Sequence, residues 1–470
     1  MTYSTDTRSL GTYDVVVCGG GPTGVCASIA AAEEGRKVLL VEGMGQLGGV
    51  GTSGLVSHWL GGRDTHPTRW VVGGLFRRLS ESAASKGIAL LPEPEPDGSY
   101  SPHGWTKRGS LVGGVAFEPF EMALHLEEAV VEAGVDLLYF TRVVDAVTEG
   151  SRIANVILHN KSGFLSAGST AFVDATGDAD VAEQAGCPTQ LGREDDRLMT
   201  PVTLQVHMDG IDEAALKAYI DEHDAYRFLD EIEAWTKSGE WPFIYNRFIS
   251  VKMPGTGTFM VNTPRITGVD GTDGASVTSG IVQGRKEIFM LRDFMRTHIP
   301  GCEEARVKAV GSSLGVRETR RIVGEFRLSV NDVIDGTAFE DAIAYSCYGW
   351  DLPDPHKPSL QPMSEKFKAP RHTPIPYRVM IPRKVDNLIC AGRMISVERD
   401  VLGPLRVMGP CMGMGEAAGV AAARVASGKG ETFGKVDTES LRARLRARGV
   451  ILEGHDTETR RSPEASAAER

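Results

Sequence analysis

The sequence predicts an α/β fold in which a parallel sheet is interleaved with an α+β unit built on an antiparallel sheet. Three observations carry that prediction. "DVVVCGGGPTGVCASIAAAEEGRKVLLVE" (14–42) reads strand, glycine turn, alanine-rich helix, strand and terminal acid, in that order. "STAFVDATGDAD" (169–180) is an apolar strand ending in a turn at Thr176 and Gly177, which returns the chain to the first unit. Between about 190 and 380 the character changes, and "PVTLQVHM" (201–208) alternates apolar and polar residues as a half-buried antiparallel strand does.

Each element follows from its residues. The apolar run 14–18 is what a buried parallel strand needs. Gly19, Gly21 and Gly24 form GxGxxG around Pro22 and Thr23. Such glycines allow a tight turn and bring a pyrophosphate against backbone N–H groups at a helix N-terminus. Glu42 closes the second strand, where a carboxylate accepts hydrogen bonds from a ribose. The first unit is therefore a Rossmann-like dinucleotide site. The glycine-rich stretch 43–62 is too long for a simple turn, and 92–110 reads as a surface loop within an insertion at about 76–115. Residues 118–134 have helical spacing, with Gly134 as the stop. Further on, 211–239 reads as charged helix, 248–262 as a hairpin around 254–257 and 277–298 as helix. Residues 355–382 read as a proline-rich loop, and "NLICAGR" (387–393) as a short strand. The expected domains are a nucleotide-binding part at 1–190, a substrate or cap domain at 191–380, and a second nucleotide-binding part at 381–430. A helix and frayed tail at 431–470 complete the chain.

A chain of 470 residues can bury a large core, and its 41% hydrophobic and 24% charged residues are those of a soluble globular protein. A net charge of −11 argues against nucleic-acid or anionic-membrane partners. No apolar stretch has the length of a membrane helix, and the first residues lack the pattern of a signal peptide, so the expected location is cytoplasmic. The seven cysteines are scattered with no CxxC pair, so no metal or iron–sulfur site is expected. No CxxxxC pair is present for a disulfide-reductase mechanism either.

Three features favour FAD over NAD. The loop after Glu42 suits an extended cofactor, "DATGD" (174–178) returns beside the phosphate turn, and 389–428 ends in a strand, a glycine-rich loop and a small-residue helix. That helix aims its N-terminus, near 407–410, at something anionic, such as the N1–C2=O edge of a reduced flavin.

"VNTPRITGVDGTD" (261–273), "GVRETRRIVGE" (315–325), "IPYR" (375–378) and the block 389–419 resemble the FAD-dependent oxidoreductases of the glutathione-reductase-like fold, from about 14 to 428. The resemblance implies Gly19, Gly21, Gly24 and Glu42 at the ADP half, with Gly49 and Thr52 beyond. It implies Gly177 and Asp178 near the phosphates, Gly392, Arg393, Val407 and Met408 at the ribityl and flavin, and Val143 beside the adenine. Pro22, Thr23, Gly43, Ala175 and Arg406 complete the expected cofactor set.

A flavoenzyme needs groups that orient the substrate and move a proton. The candidates are His58, Asn262, Arg265, His372, Tyr377 and Arg378. Arg317, Arg320 and Arg321 are expected mostly to pair with Glu318 and Glu325, and Thr203, Gln205 and His207 to face solvent. Cys411 is expected to pack, although a helix start can lower a thiol pKa. The expected activity is hydride transfer between flavin and a small organic substrate, at a C–H bond next to oxygen or nitrogen. The electron acceptor is oxygen or another redox partner. Reduction of an activated C=C bond is the first alternative, and a non-catalytic electron-transfer subunit is the alternative of another class. Halogenation is disfavoured, because no WxWxIP stretch is present.

Overall fold

The computed structural model describes residues 4–64, 69–91, 114–356, 372–428 and 431–453. The loop expected at 92–110 and most of the proline-rich stretch lie outside the described residues.

The central sheet is built on β1 (Arg8–Cys18), β2 (Val38–Val41), β6 (Asp136–Leu138), β9 (Gly163–Asp174) and β18 (Leu388–Cys390), all parallel. β7 (Arg142–Glu149) and β8 (Arg152–Asn160) extend it antiparallel, giving the order β6-β2-β1-β9-β8-β7 with β18 also on β9. Val15, Val16, Val17 and the whole of β2 are buried, as strands covered on both faces require.

On one face lie α1 (Pro22–Glu33) and α10 (Met408–Val425). A Cβ on Gly415 would sit 2.2 Å from the Thr23 carbonyl oxygen, and one on Gly419 2.2 Å from that of Ala27. Glycine there lets the two backbones touch. This contact holds the N-terminus of α10 close to the turn that opens α1. Outside them pack α2 (Gly74–Ser85), α3 (Pro119–Glu132) and α11 (Thr438–Ala447). Beside these lies a small sheet of β3 (His58–Trp59), β4 (Ala89–Leu90) and β5 (Val115–Phe117). Part of the expected insertion at 76–115 is thus regular structure, and α3 stops before Gly134 (φ +79°).

The second unit is an antiparallel sheet of β11 (Val206–Asp209), β12 (Ser250–Lys252), β13 (Phe259–Val261) and β14 (Arg306–Val310), in the order β12-β13-β11-β14. Its outer face is covered by α5 (Glu213–His223), α6 (Leu229–Ser238) and α7 (Gly274–His298). Asp212 and Asp273 cap α5 and α7 by accepting backbone N–H bonds.

The polar face of the 201–208 segment does not meet solvent. Thr203, Gln205 and His207 are at most 1% exposed, because that face closes over the loop after β2. Ser312 N–H donates to the Ser53 carbonyl (2.8 Å), and His207 Nε2 lies 3.4 Å from both Leu55 O and Ser57 Oγ. Burial pushes the His207 pKa down to about 4, so the ring is neutral there.

β10 (Thr189–Leu191) pairs with β15 (Arg320–Ile322) and ties the two units together. β16 (Ala342–Ser346) pairs with β17 (Thr373–Pro376), so the end of the expected proline-rich loop is a strand. Short helices α4 (Asp180–Gln184), α8 (Val330–Ile334) and α9 (Leu402–Leu405) fill the connections. Among the described residues, no helix is long and apolar enough to cross a membrane, and no group of three His, Cys, Asp or Glu side chains is placed to hold a metal ion.

Candidate active site

A cavity of about 1150 Å³ runs from the β1–α1 turn, past the N-terminus of α10, to the antiparallel sheet. Its two ends differ in kind.

The first end is mostly backbone. Gly19 has φ +101°, and a Cβ there would lie 2.5 Å from the Ala175 carbonyl oxygen. A Cβ on Gly21 would meet nothing within 4 Å, so the turn leaves open space where a pyrophosphate would sit. Glu42 is 8% exposed and accepts from Gly20 N–H and Met44 N–H, each at 2.6 Å. Burial raises its pKa, against those N–H groups and Arg142. Each carboxylate oxygen keeps a second lone pair for a ribose hydroxyl. Two arginines here are paired: Arg393 bonds Asp178 at 2.5 Å, Thr319 Oγ1 donates to the same carboxylate at 2.5 Å, and Arg320 bonds Asp180 at 3.0 Å. α10 begins at N-cap Val407, and its first turn borders the middle of the cavity through Val407, Met408 and Cys411. Burial pushes the Cys411 thiol up to about 12, so this thiol packs and stays protonated.

Pro22, Thr23, Gly43, Gly49, Val143, Ala175, Gly177, Asp178, Gly392, Arg393, Arg406, Val407 and Met408 all line the cavity beside Gly19, Gly21 and Glu42. Gly24 and Thr52 do not. A Cβ on Gly24 would lie 1.8 Å from the Gly19 carbonyl, so this glycine serves the packing of α1. Thr52 Oγ1 donates to the Leu47 carbonyl at 2.5 Å and braces the glycine-rich loop from inside. An open glycine turn, an acid at the end of β2 and the first turn of α10 along one cavity fit an extended dinucleotide.

The second end is made of side chains. Of the six catalytic candidates, His58, Asn262 and Arg265 line it. His58 is 2% exposed on β3, with its ring against Gly114. Arg265 Nη1 donates to Thr203 Oγ1 (2.9 Å) and to Asn262 Oδ1 (2.7 Å), and the guanidinium lies 4.3 Å from the centre of the Tyr245 ring. Asn262 thus spends its carbonyl on arginine and orients that side chain.

His372, Tyr377 and Arg378 are a correction, because none of them lines the cavity. His372 is buried 3.3 Å from Asp64, and the Tyr377 hydroxyl donates to the Phe433 carbonyl at 3.1 Å. Arg378 is half exposed, stacked on Phe326 at 4.4 Å. β17 pairs with β16 and packs on α9, which keeps this segment out of the cavity lining.

Two members of the basic cluster do form ion pairs: Arg321 with Glu318 (3.0 Å), and Arg320 with Asp180 instead of Glu325. Arg317 turns into the cavity. Its guanidinium donates to the Pro201 carbonyl (2.8 Å), Thr203 Oγ1 (3.0 Å) and Asn262 Oδ1 (3.2 Å). Arg406 bonds the Asp351 carbonyl at 2.7 Å and its carboxylate at 3.3 Å, which places Arg406 at this end as well. Tyr348 donates to Asp351 at 3.0 Å. Sequence reasoning missed Tyr245, Tyr348 and Asp351. The available signal was "YGWD" (348–351), aromatic and acidic residues in a stretch with no periodicity.

Fold and cavity together define a flavin-type dinucleotide enzyme. The family of FAD dependent oxidoreductases matches residues 14–445, and the chain belongs to it; FAD is its cofactor and redox chemistry its class of activity. Thiamine thiazole synthase of Aeropyrum pernix is 31% identical over 147 residues, 31% of this chain and 43% of its own length. The chain therefore spans less than half of that relative. Among solved structures, a geranylgeranyl bacteriochlorophyll reductase-like protein of Thermoplasma acidophilum shares 13% identity at a TM-score of 0.42, over 93% of this chain and 82% of its own. The p-nitrophenol 4-monooxygenase of Pseudomonas putida DLL-E4 shares 12% at 0.43, over 93% and 81%.

Proposed function

We propose that the enzyme oxidises a small organic molecule at a C–H bond next to oxygen or nitrogen. The observation that carries this reading is that His58, Asn262 and Arg265 line the same cavity as the glycine turn and the N-terminus of α10. FAD, which the glycine turn, Glu42 and the first turn of α10 would hold, would supply the two-electron acceptor. Arg265, held in place by Asn262 and Thr203, offers a planar fork to a substrate oxygen. A ring nitrogen of His58 takes the proton that leaves the substrate hydroxyl or ammonium as its C–H bond is broken. The buried face of Thr203, Gln205 and His207 closes the roof and keeps water out.

Reduction of a C=C bond conjugated to a carboxylate is the second reading. The arginines at this end favour it, because they would withdraw charge from such a bond.

The test is anaerobic flavin absorbance during mixing with sugars, hydroxy acids, amines and steroids. Bleaching by one of these classes is expected. Bleaching by none, with flavin reoxidised by an activated alkene, replaces the first reading with the second.

A further inference from the structure

The second end of the cavity carries more positive charge than its own carboxylates balance. Arg265, Arg317 and Arg406 line it together with Arg227, and Asp351 is the carboxylate that Arg406 bonds. Among the described residues, the guanidinium groups of Arg265, Arg317 and Arg406 outnumber the facing carboxylate of Asp351 by two. Thr203 and Asn262 hold Arg265 and Arg317 side by side with neutral oxygens, which position these charges without cancelling them. Burial, and then repulsion from Arg265 and Arg406, hold the Arg317 pKa well below its ordinary value. Burial raises the pKa of Asp351, but Arg406, Arg317 and Arg265 outweigh it and the net shift is downward. Uncompensated buried charge is costly, and sites that tolerate it are those an opposite charge completes. The contrast with the other end is direct, since Arg393 and Arg320 there each have a carboxylate of their own.

We propose that this end of the cavity binds a small dicarboxylic acid as its substrate, one carboxylate on the Arg265–Arg317 pair and the other on Arg406. Arg265 and Arg317 share Thr203 and Asn262 as acceptors while Arg406 is held by Asp351, so the guanidinium groups form two separately held anchors, one for each carboxylate. Each anchor presents guanidinium N–H groups in the planar geometry that carboxylates prefer, and Nε of Arg265 and of Arg406 are buried without a protein acceptor. The inference rests on the proposed function only in taking the ligand to be the substrate, and binding can be measured without turnover.

The experiment is titration calorimetry of the FAD-loaded protein with succinate, its half-amide succinamate, neutral succinamide and glycerol 3-phosphate. Succinate is expected to bind roughly thirtyfold or more tightly than succinamate, with succinamide weaker still. Arg317→Gln and, separately, Arg406→Gln should each erase most of the difference between succinate and succinamate, and the flavin absorbance per protein should stay unchanged in Arg317→Gln. Arg317→Lys should restore part of it. Arg406→Gln and Arg317→Lys keep the test decisive if Arg317→Gln fails to fold. Equal binding of succinate and succinamide, or tighter binding of glycerol 3-phosphate, overturns the proposal. Succinate binding without flavin reduction by any hydroxy- or amino-dicarboxylate would leave the proposal standing and refute the oxidation. Flavin reduction by a neutral alcohol, with no dicarboxylate bound, would do the reverse.

Discussion

The two ends of the cavity are built by opposite means. At the cofactor end, recognition is by backbone: Gly19 and Gly21 clear space, α10 offers its N-terminus, and each of Arg393 and Arg320 is matched by an acid. The other end, where we propose that the substrate binds, is lined by side chains from distant stretches, with more arginines than carboxylates among the described residues. A backbone cradle is fixed by local conformation and tolerates one ligand shape. A side-chain cluster is set by residues that the fold brings together, so it can change substrate without disturbing the scaffold.

The sharpest way to break this comparison is at His58. If the substrate end does the chemistry, His58→Ala should slow flavin reduction roughly a hundredfold to ten-thousandfold with FAD still bound. Stopped-flow bleaching alongside the flavin-to-protein absorbance ratio measures both quantities. A wild-type rate would take proton transfer away from β3.

His207 tests how the roof is held down. Its folded pKa of about 4 lies below the ordinary 6.5, through burial, so the native state resists protonation. The stabilisation is complete above pH 6.5 and is lost as pH falls from 6.5 toward 4. Its full extent is on the order of 3 kcal/mol. His207→Gln should remove that component, so urea midpoints measured at pH 7 and pH 4 should differ less in the variant than in the wild type. An equal loss in both would mean that another group drives the acid sensitivity.

Glu42 probes the cofactor end. Glu42→Ala removes a ribose acceptor and also the acceptor of the Gly20 and Met44 N–H groups. A cost of about 1.5–3 kcal/mol, or roughly tenfold to a hundredfold in FAD affinity, is expected in fluorescence titration of the refolded apoprotein. Unchanged affinity would remove Glu42 from the adenosine site.

The same contrast explains what the sequence disclosed. GxGxxG, the acid 18 residues on at Glu42 and the glycine-rich start of α10 are contiguous patterns whose geometry is local, so the parallel sheet and the backbone that lines this end of the cavity were legible. Alternation in 201–208 announced a strand but not what covers its polar face, because that depends on the loop carrying Ser53, Leu55 and Ser57. Arg317 looked like its neighbours Arg320 and Arg321. Only the pairing of β15 with β10 shows that two of the three meet acids while the third turns to Asn262. For His372, Tyr377 and Arg378, closeness in sequence to the strand at 388–390 was misleading, since β17 pairs with β16 and faces elsewhere.

Arg378 gives the smallest expected effect and a direct check on that last point. It has the same chemistry as Arg265 and precedes β18, but its side chain is 46% exposed. It stacks on Phe326 at 4.4 Å and approaches Asp341 at 3.7 Å. An exposed cation–π contact and a long, partly solvated ion pair together contribute about 1 kcal/mol or less. Arg378→Ala should therefore lower thermal stability slightly and leave the rate and substrate dependence of flavin reduction within about twofold of wild type. Arg265→Ala, by contrast, should chiefly weaken substrate binding, since it removes a buried fork while Arg317 still donates to the oxygens of Asn262 and Thr203. Measured side by side, equal kinetic losses in the two variants would mean that the substrate reaches Arg378, and that the site extends beyond the cavity that holds Arg265.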